Sequence, residues 1–300
     1  MIALFKSRHT LVSQTSSAQE TASMIRSSRL ALWAFAVLAL VAGSAPLPAV
    51  DLYVTGWDNG AQKNIFGKID SSTGVYSQLN SDIGGGFDST RGLAWNPGIS
   101  QFNTLRDDGT FSTITTTGTV GSVIASGLSN FANLAYNPAT STMYSVSDSA
   151  LNTVNPATGA QSNIGNPGVN NLSGSAFVNG TMYGTTDVGD PMNQDNRYGS
   201  FNLSTGAFTA ITASDDLTYS SMQLAYDGTT LFGLRDNTLY TLNPTSGAYT
   251  TLATVTGLGS GGFFGMSVPF AVPEPSTYAL AAIATGVIAA LARRRKARQG

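Results

Sequence analysis

Val154-Asn155-Pro156-Ala157-Thr158-Gly159 contains the grammar of one tight turn. An Asn side chain bonds the backbone a few residues on, the following Pro fixes φ, and both start a turn. Gly then adopts the left-handed conformation that closes a hairpin. The same phrase stands at Ile69-Asp70-Ser71-Ser72-Thr73-Gly74, Ile114-Thr115-Thr116-Thr117-Gly118, Phe201-Asn202-Leu203-Ser204-Thr205-Gly206 and Leu242-Asn243-Pro244-Thr245-Ser246-Gly247. Its glycines, at 74, 118, 159, 206 and 247, are 44, 41, 47 and 41 residues apart. A second phrase keeps step with the first: Leu93-Ala94-Trp95-Asn96-Pro97, Leu134-Ala135-Tyr136-Asn137-Pro138, Ser175-Ala176-Phe177 and Leu224-Ala225-Tyr226-Asp227.

Between the phrases lie short β-forming runs such as Met143-Tyr144-Ser145-Val146, Leu231-Phe232-Gly233-Leu234 and Thr238-Leu239-Tyr240-Thr241-Leu242. Each unit of 41 to 49 residues therefore carries about four short strands, the content of one propeller blade. No amphipathic helix interrupts them, which argues against a βαβ fold. The first unit opens at Leu52-Tyr53-Val54 without its Leu-Ala-aromatic strand, and Gly262-Phe263-Phe264-Gly265-Met266-Ser267-Val268 is left over at the far end. Pairing the two completes the first blade and removes the open edges of the ring. The expectation is an all-β chain with a single five-bladed β-propeller over residues 50–271. A signal helix precedes it and a transmembrane helix follows it. The body resembles propellers of the broad WD40-like and quinoprotein-like kind, without a repeated Trp-Asp or kelch signature. An open β-solenoid and a β-sandwich are the competing architectures.

The two ends read as addresses. Residues 1–23 are polar, Met24-Ile25-Arg26-Ser27-Ser28-Arg29 is a basic stretch, and residues 30–42 form a 13-residue apolar run. This is the layout of a secretory signal within residues 1–49, with cleavage after Ala49 or near Ser44, and with translation starting at Met1 or Met24. An uncleaved anchor is the other reading of the apolar run. At the C-terminus, residues 272–300 place Val272-Pro273-Glu274-Pro275 before an uncharged run from 278 to 292, then Arg293, Arg294, Arg295 and Lys296. The prolines keep the motif extended. The uncharged run spans roughly 22 Å as a helix, short of the roughly 30 Å hydrocarbon core, and the basic cluster holds its end in the cytoplasm. A nucleic-acid patch is a poor account of that cluster, because it abuts an apolar segment. The tail resembles the PEP-CTERM sorting signal of exported Gram-negative proteins, with Tyr278 where the family often has Trp. The resemblance implies recognition of the Pro-Glu-Pro motif and removal of the tail by an exosortase. It also implies an association with exopolysaccharide production and with biofilm or floc formation. A plain, uncleaved membrane anchor is the alternative.

The body between these ends contains no His, Cys or Glu. Ser-His-Asp and Cys-His arrangements and histidine or thiolate zinc sites cannot be built from it. Its six basic residues face fifteen aspartates, a net charge of −9, which argues against nucleic acid as a partner. A Lys Schiff base could come only from Lys63 or Lys68. The insertion from Asp187 to Arg197 carries oxygen donors that suit Ca²⁺, but it lacks the EF-hand spacing and reads better as an acidic surface loop. Asp107-Asp108-Gly109 and Asp215-Asp216 read as turn residues. Trp57, Trp95 and the tyrosines could stack on sugars, although those of the second phrase are expected to pack between blades.

No catalytic residue, metal site or cofactor is therefore expected. The expected protein is exported, transiently anchored in the inner membrane and then placed at the cell surface or outside the cell. Its partners would be an exosortase, the membrane before processing, and a polysaccharide or envelope component bound without catalysis. The alternatives are an Asp-based polysaccharide hydrolase or lyase working in the propeller funnel, and a spacer with no ligand. Three aspartates converging on one pore end would favour the enzyme.

Overall fold

The computed structural model describes residues 49–84, 90–128, 133–147, 149–169, 172–188, 195–212, 219, 221–259 and 261–270. Blade 1 begins with β1 (Asp51–Asp58), β2 (Lys63–Asp70) and β3 (Tyr76–Asn80). Blade 2 holds β4 (Thr90–Asn96), β5 (Gln101–Arg106), β6 (Phe111–Ile114) and β7 (Val120–Ala125). Blade 3 holds β8 (Asn133–Asn137), β9 (Thr142–Val146), β10 (Leu151–Val154) and β11 (Gln161–Gly165). Blade 4 holds β12 (Leu172–Val178), β13 (Thr181–Val188), β14 (Asp195–Phe201) and β15 (Phe208–Ala210). Blade 5 holds β16 (Gln223–Tyr226), β17 (Leu231–Arg235), β18 (Thr238–Leu242) and β19 (Tyr249–Thr254), and the last strand is β20 (Gly261–Ser267).

These strands form five four-stranded antiparallel sheets, a five-bladed β-propeller. Blade 1 has the order β20-β1-β2-β3, so the last strand completes the first sheet. Tyr53 pairs with Ser267 and Val54 with Met266 across this junction. The leftover C-terminal strand closes the ring as expected. Residues 1–48 and 271–300, including the anticipated signal helix and transmembrane helix, lie outside the described residues. Among the described residues no helix is long and apolar enough to cross a membrane.

The turn phrase joins the third strand of each blade to the fourth. Asp70 Oδ1 accepts from the backbone N–H groups of Ser72 (2.9 Å) and Thr73 (3.0 Å). Asn155, Asn202 and Asn243 repeat the same pair of bonds in blades 3, 4 and 5. In blade 2 the hydroxyl of Thr115 stands in, accepting from the Thr119 N–H at 3.0 Å. The five closing glycines have φ between +72° and +87°, the region their sequence positions demand.

Five apolar seams lie between neighbouring blades, and each is built from both. Tyr53 and Phe66 of blade 1 meet Leu93 and Phe102 of blade 2. Leu105 and Phe111 meet Leu134 and Met143 between blades 2 and 3. Leu151 meets Phe177 and Met182 between blades 3 and 4. Tyr198 meets Tyr219, Leu224 and Leu231 between blades 4 and 5. The fifth seam sets Phe232 and Leu239 against Leu52, Ile65 and Phe263, joining the last blade to the first. Each fully buried side chain here contributes about 1.5–3 kcal/mol relative to exposure, so the ring is held by its radial seams.

Candidate functional site

The innermost strands β4, β8, β12, β16 and β20 surround a central cavity of about 580 Å³. Their second phrase sets its layers. The alanines 94, 135, 176 and 225 are buried where the inner strands crowd the axis, and Ser267 takes that place in β20. One residue further out, Trp95, Tyr136, Phe177 and Tyr226 ring the mouth, and Val268 occupies the fifth aromatic place. Trp95 and Phe177 are also buried in the blade seams, as expected of that phrase.

Behind the lining, one residue before Leu134 and Leu224, the strands carry Asn133 and Gln223. Asn133 Nδ2 donates to Gln223 Oε1 at 3.1 Å and to the Ser173 carbonyl at 2.7 Å. Ser175 Oγ donates to Asn133 Oδ1 at 3.2 Å. This polar floor links blades 3, 4 and 5. Between the two amides stands Gly174, where an added Cβ would lie 2.3 Å from the Met222 carbonyl oxygen.

The mouth is partly crossed by the chain leaving β20. Trp95 N–H donates to Ser267 Oγ at 2.9 Å, and Trp95 Nε1 donates to the Phe270 carbonyl at 3.0 Å. The Phe270 ring lies 6.3 Å from that of Tyr136. A second depression outside the mouth shares Trp95, Tyr136, Pro269 and Phe270 with the central cavity, so the residues after β20 are the wall between them.

Among the described residues, the one carboxylate in the cavity lining is Asp227. Its Oδ1 accepts from the backbone N–H groups of Thr229 and Thr230, both at 2.7 Å. Burial, and then the charge of Asp227, push the Tyr226 phenol above its ordinary pKa, so it stays a neutral hydrogen-bonding group. Lys63 pairs with Asp82, and Lys68 with Asp51 at 2.7 Å, both away from the cavity. The bond to Asp51 holds the Lys68 ammonium above its ordinary pKa, the opposite of what a Schiff-base lysine needs. Among the described residues no three His, Cys, Asp or Glu side chains come together.

Ala49 is the first described residue and is exposed. The motif Val272, Pro273, Glu274 and Pro275, the basic stop Arg293, Arg294, Arg295 and Lys296, and most of the 187–197 insertion lie outside the described residues. Reading the sequence in isolation missed the floor and the Phe270 contact. Aligning the inner strands places Gly92, Asn133, Gly174 and Gln223 at one position, and that alternation of glycine and amide was the available signal for the floor.

A five-bladed propeller whose last strand leads straight into a polar, proline-bracketed segment defines an exported repeat protein with a C-terminal address. Residues 271–296 match the PEP-CTERM protein-sorting motif, so the chain carries that signal, which implies export and recognition by an exosortase. A comparison with curated proteins gave no match. Among solved structures, a nidogen/laminin complex aligns with a TM-score of 0.47 and 13% identity, over 74% of this chain and 81% of that one. The PQQ-bound aldose sugar dehydrogenase of Streptomyces coelicolor aligns with a TM-score of 0.45 and 14% identity, over 71% of this chain and 84% of that one. A structural genomics protein from Bacteroides thetaiotaomicron gives 0.39 and 16%, over 68% of this chain and half of that one.

Proposed function

We propose that the protein is a non-enzymatic binding module of the cell surface or extracellular matrix. An exosortase processes it at Val272–Pro275, and its propeller binds a polysaccharide or another envelope component at the central cavity. The observation that carries this reading is the mouth itself. Trp95, Tyr136, Phe177 and Tyr226 converge there above an amide floor that links blades 3, 4 and 5, with Asp227 nearby. Aromatic faces and neutral hydrogen-bonding groups suit sugar rings. A hydrolase built on aspartates needs two carboxylates flanking one bond, and among the described residues the cavity lining supplies Asp227 alone, which supports the binding reading over the Asp-based hydrolase or lyase.

The test is calorimetric titration of the body with oligosaccharides from the native host's exopolysaccharide, beside an assay for new reducing ends. Binding without turnover, weakened about tenfold by Tyr136→Ala or Tyr226→Ala, supports the reading. Chain cleavage that disappears in Asp227→Asn would replace it with the enzymatic one.

A further inference from the structure

The channel through the ring is crossed below the cavity. Blade 4 stands between blades 3 and 5, yet Asn133 Nδ2 of blade 3 reaches Gln223 Oε1 of blade 5 at 3.1 Å. Their bond therefore spans the channel in front of blade 4 instead of following the wall. At the same depth the other inner strands crowd their neighbours. An added Cβ would lie 2.8 Å from Leu134 Cγ at Gly92, 3.1 Å from Leu93 Cβ at Gly265, and 2.3 Å from the Met222 carbonyl oxygen at Gly174. The described lining stops one residue above, at Leu93, Leu134, Ser175, Leu224 and Met266, each no more than 4% exposed. The cavity is thus a blind pocket, entered at the mouth.

Its walls are more polar than their side chains suggest. The lining strands β4, β8, β12, β16 and β20 each end a sheet, so each turns an edge without a strand partner to the axis. Main-chain N–H and C=O groups alternate between the two edges of a strand. The Trp95 N–H lies on the axial edge, where it meets Ser267 Oγ, and the main-chain groups of Leu93, two residues back, share that edge. Sugar hydroxyls both donate and accept, and such an edge offers both partners. Among the described residues the lining holds no Lys or Arg, and its one carboxylate, Asp227, is capped by the Thr229 and Thr230 N–H groups. A neutral, hydroxyl-rich group fits these walls better than a charged one, which would be desolvated without a counter-charge. The volume of about 580 Å³ is that of a small-molecule site, with room for the end of a polymer and not for its length.

We propose that the cavity takes the terminus of a neutral polysaccharide chain and not an internal stretch. The inference deepens the proposed function and rests on it. An internal stretch must enter a site and leave it again, as an open groove or a through-channel allows. A pocket crossed at its base admits a chain by its end. The terminal ring stands among the axial edges of the inner strands, Tyr136 and Tyr226 flank it, and the following units pass out beside Phe270 at the mouth. One protein therefore holds one chain end, however long the chain.

The test is calorimetric titration of the full-length protein, in detergent, with linear fractions of the native host's neutral exopolysaccharide. Two fractions about fourfold apart in chain length are compared, because a longer chain multiplies internal sites but not ends. The expected result is one protein bound per chain in both, so that the longer fraction saturates the protein at about fourfold more mass. Saturation at the same mass of either fraction overturns end recognition and leaves the binding reading standing. No binding of either fraction or of the uncut polymer, by protein whose cooperative melt shows it folded, overturns both.

Discussion

Asn133 and Gln223, ninety residues apart in the chain, meet at 3.1 Å, the amide of blade 3 donating to that of blade 5. Both are about 4% exposed. Buried polar groups are costly to orphan and cheap to remove together. Asn133→Leu or Gln223→Leu alone should each destabilise by about 1–3 kcal/mol, and the double variant by less than their sum. Urea denaturation of the four proteins measures the coupling, and strict additivity would mean that the contact contributes nothing.

Two glycines with the same backbone need separate steric strain from conformational strain. Gly180 has φ +85° with nothing within 4 Å of an added Cβ, whereas Gly206, at φ +79°, would place that atom 2.6 Å from the Gly165 carbonyl carbon. Gly180→Ala should cost about 1–2 kcal/mol from the left-handed conformation alone. Gly206→Ala should cost about 1–3 kcal/mol more, because blade 3 must retreat from blade 4. Thermal melts of the two variants should keep that order.

Ring closure concentrates on β20. Met266→Ala removes a buried side chain from the seam between blades 5 and 1 and should cost about 2–5 kcal/mol. Deleting residues 263–268 should abolish cooperative unfolding of the whole body. A deletion variant melting at the wild-type temperature would contradict closure.

The body contains no histidine, cysteine or glutamate, so its stability should be nearly flat from about pH 5 to 9. Burial, reinforced by Tyr183 and Tyr219, raises the Tyr198 phenol, and burial, reinforced by Asp58, raises that of Tyr76. An unfolded tyrosine titrates near pH 10. Above that value the folded state holds protons that the unfolded chain has lost, so stability is intact below pH 10 and falls as pH rises further. Tyr198→Phe should flatten this alkaline slope, although losing the bond to the Pro244 carbonyl lowers stability at every pH. On the acid side, Asp70 and Asp82 are held low by Ser72 and Lys63 respectively. Their stabilising contribution is full above about pH 4 and is lost as pH falls below that value through their lowered folded pKa.

The tail gives a mass prediction. Protein from its native host should end near the Pro-Glu-Pro motif, and Pro275→Ala should retain Arg293 to Arg298. Retention in both would identify an uncleaved anchor.

The blades were legible because their punctuation is local. Asp70, Asn155, Asn202 and Asn243 each bond backbone within three residues, so the chemistry that makes the turn is written beside it. Closure was legible by elimination, since Phe263 to Val268 had no other sheet to join. The floor was hidden because neither Asn133 nor Gln223 carries a marker of its partner, and Gly174 between them looks like any strand glycine. Ser267 was hidden for a related reason. It stands where the other inner strands have alanine, and its value as acceptor for the Trp95 N–H exists only once the ring is shut.

The pairing of β20 with β1 also sets an order of events in time. A chain emerging from its N-terminus exposes the unpaired inner edge of blade 1 until more than two hundred residues have followed. Such a long-range contact folds slowly, and an open edge invites mispairing. The residues that end this vulnerable interval, 261–267, immediately precede those that summon the sorting enzyme. Completion of the fold and arrival of the address are thus nearly simultaneous, and a chain truncated anywhere upstream lacks both.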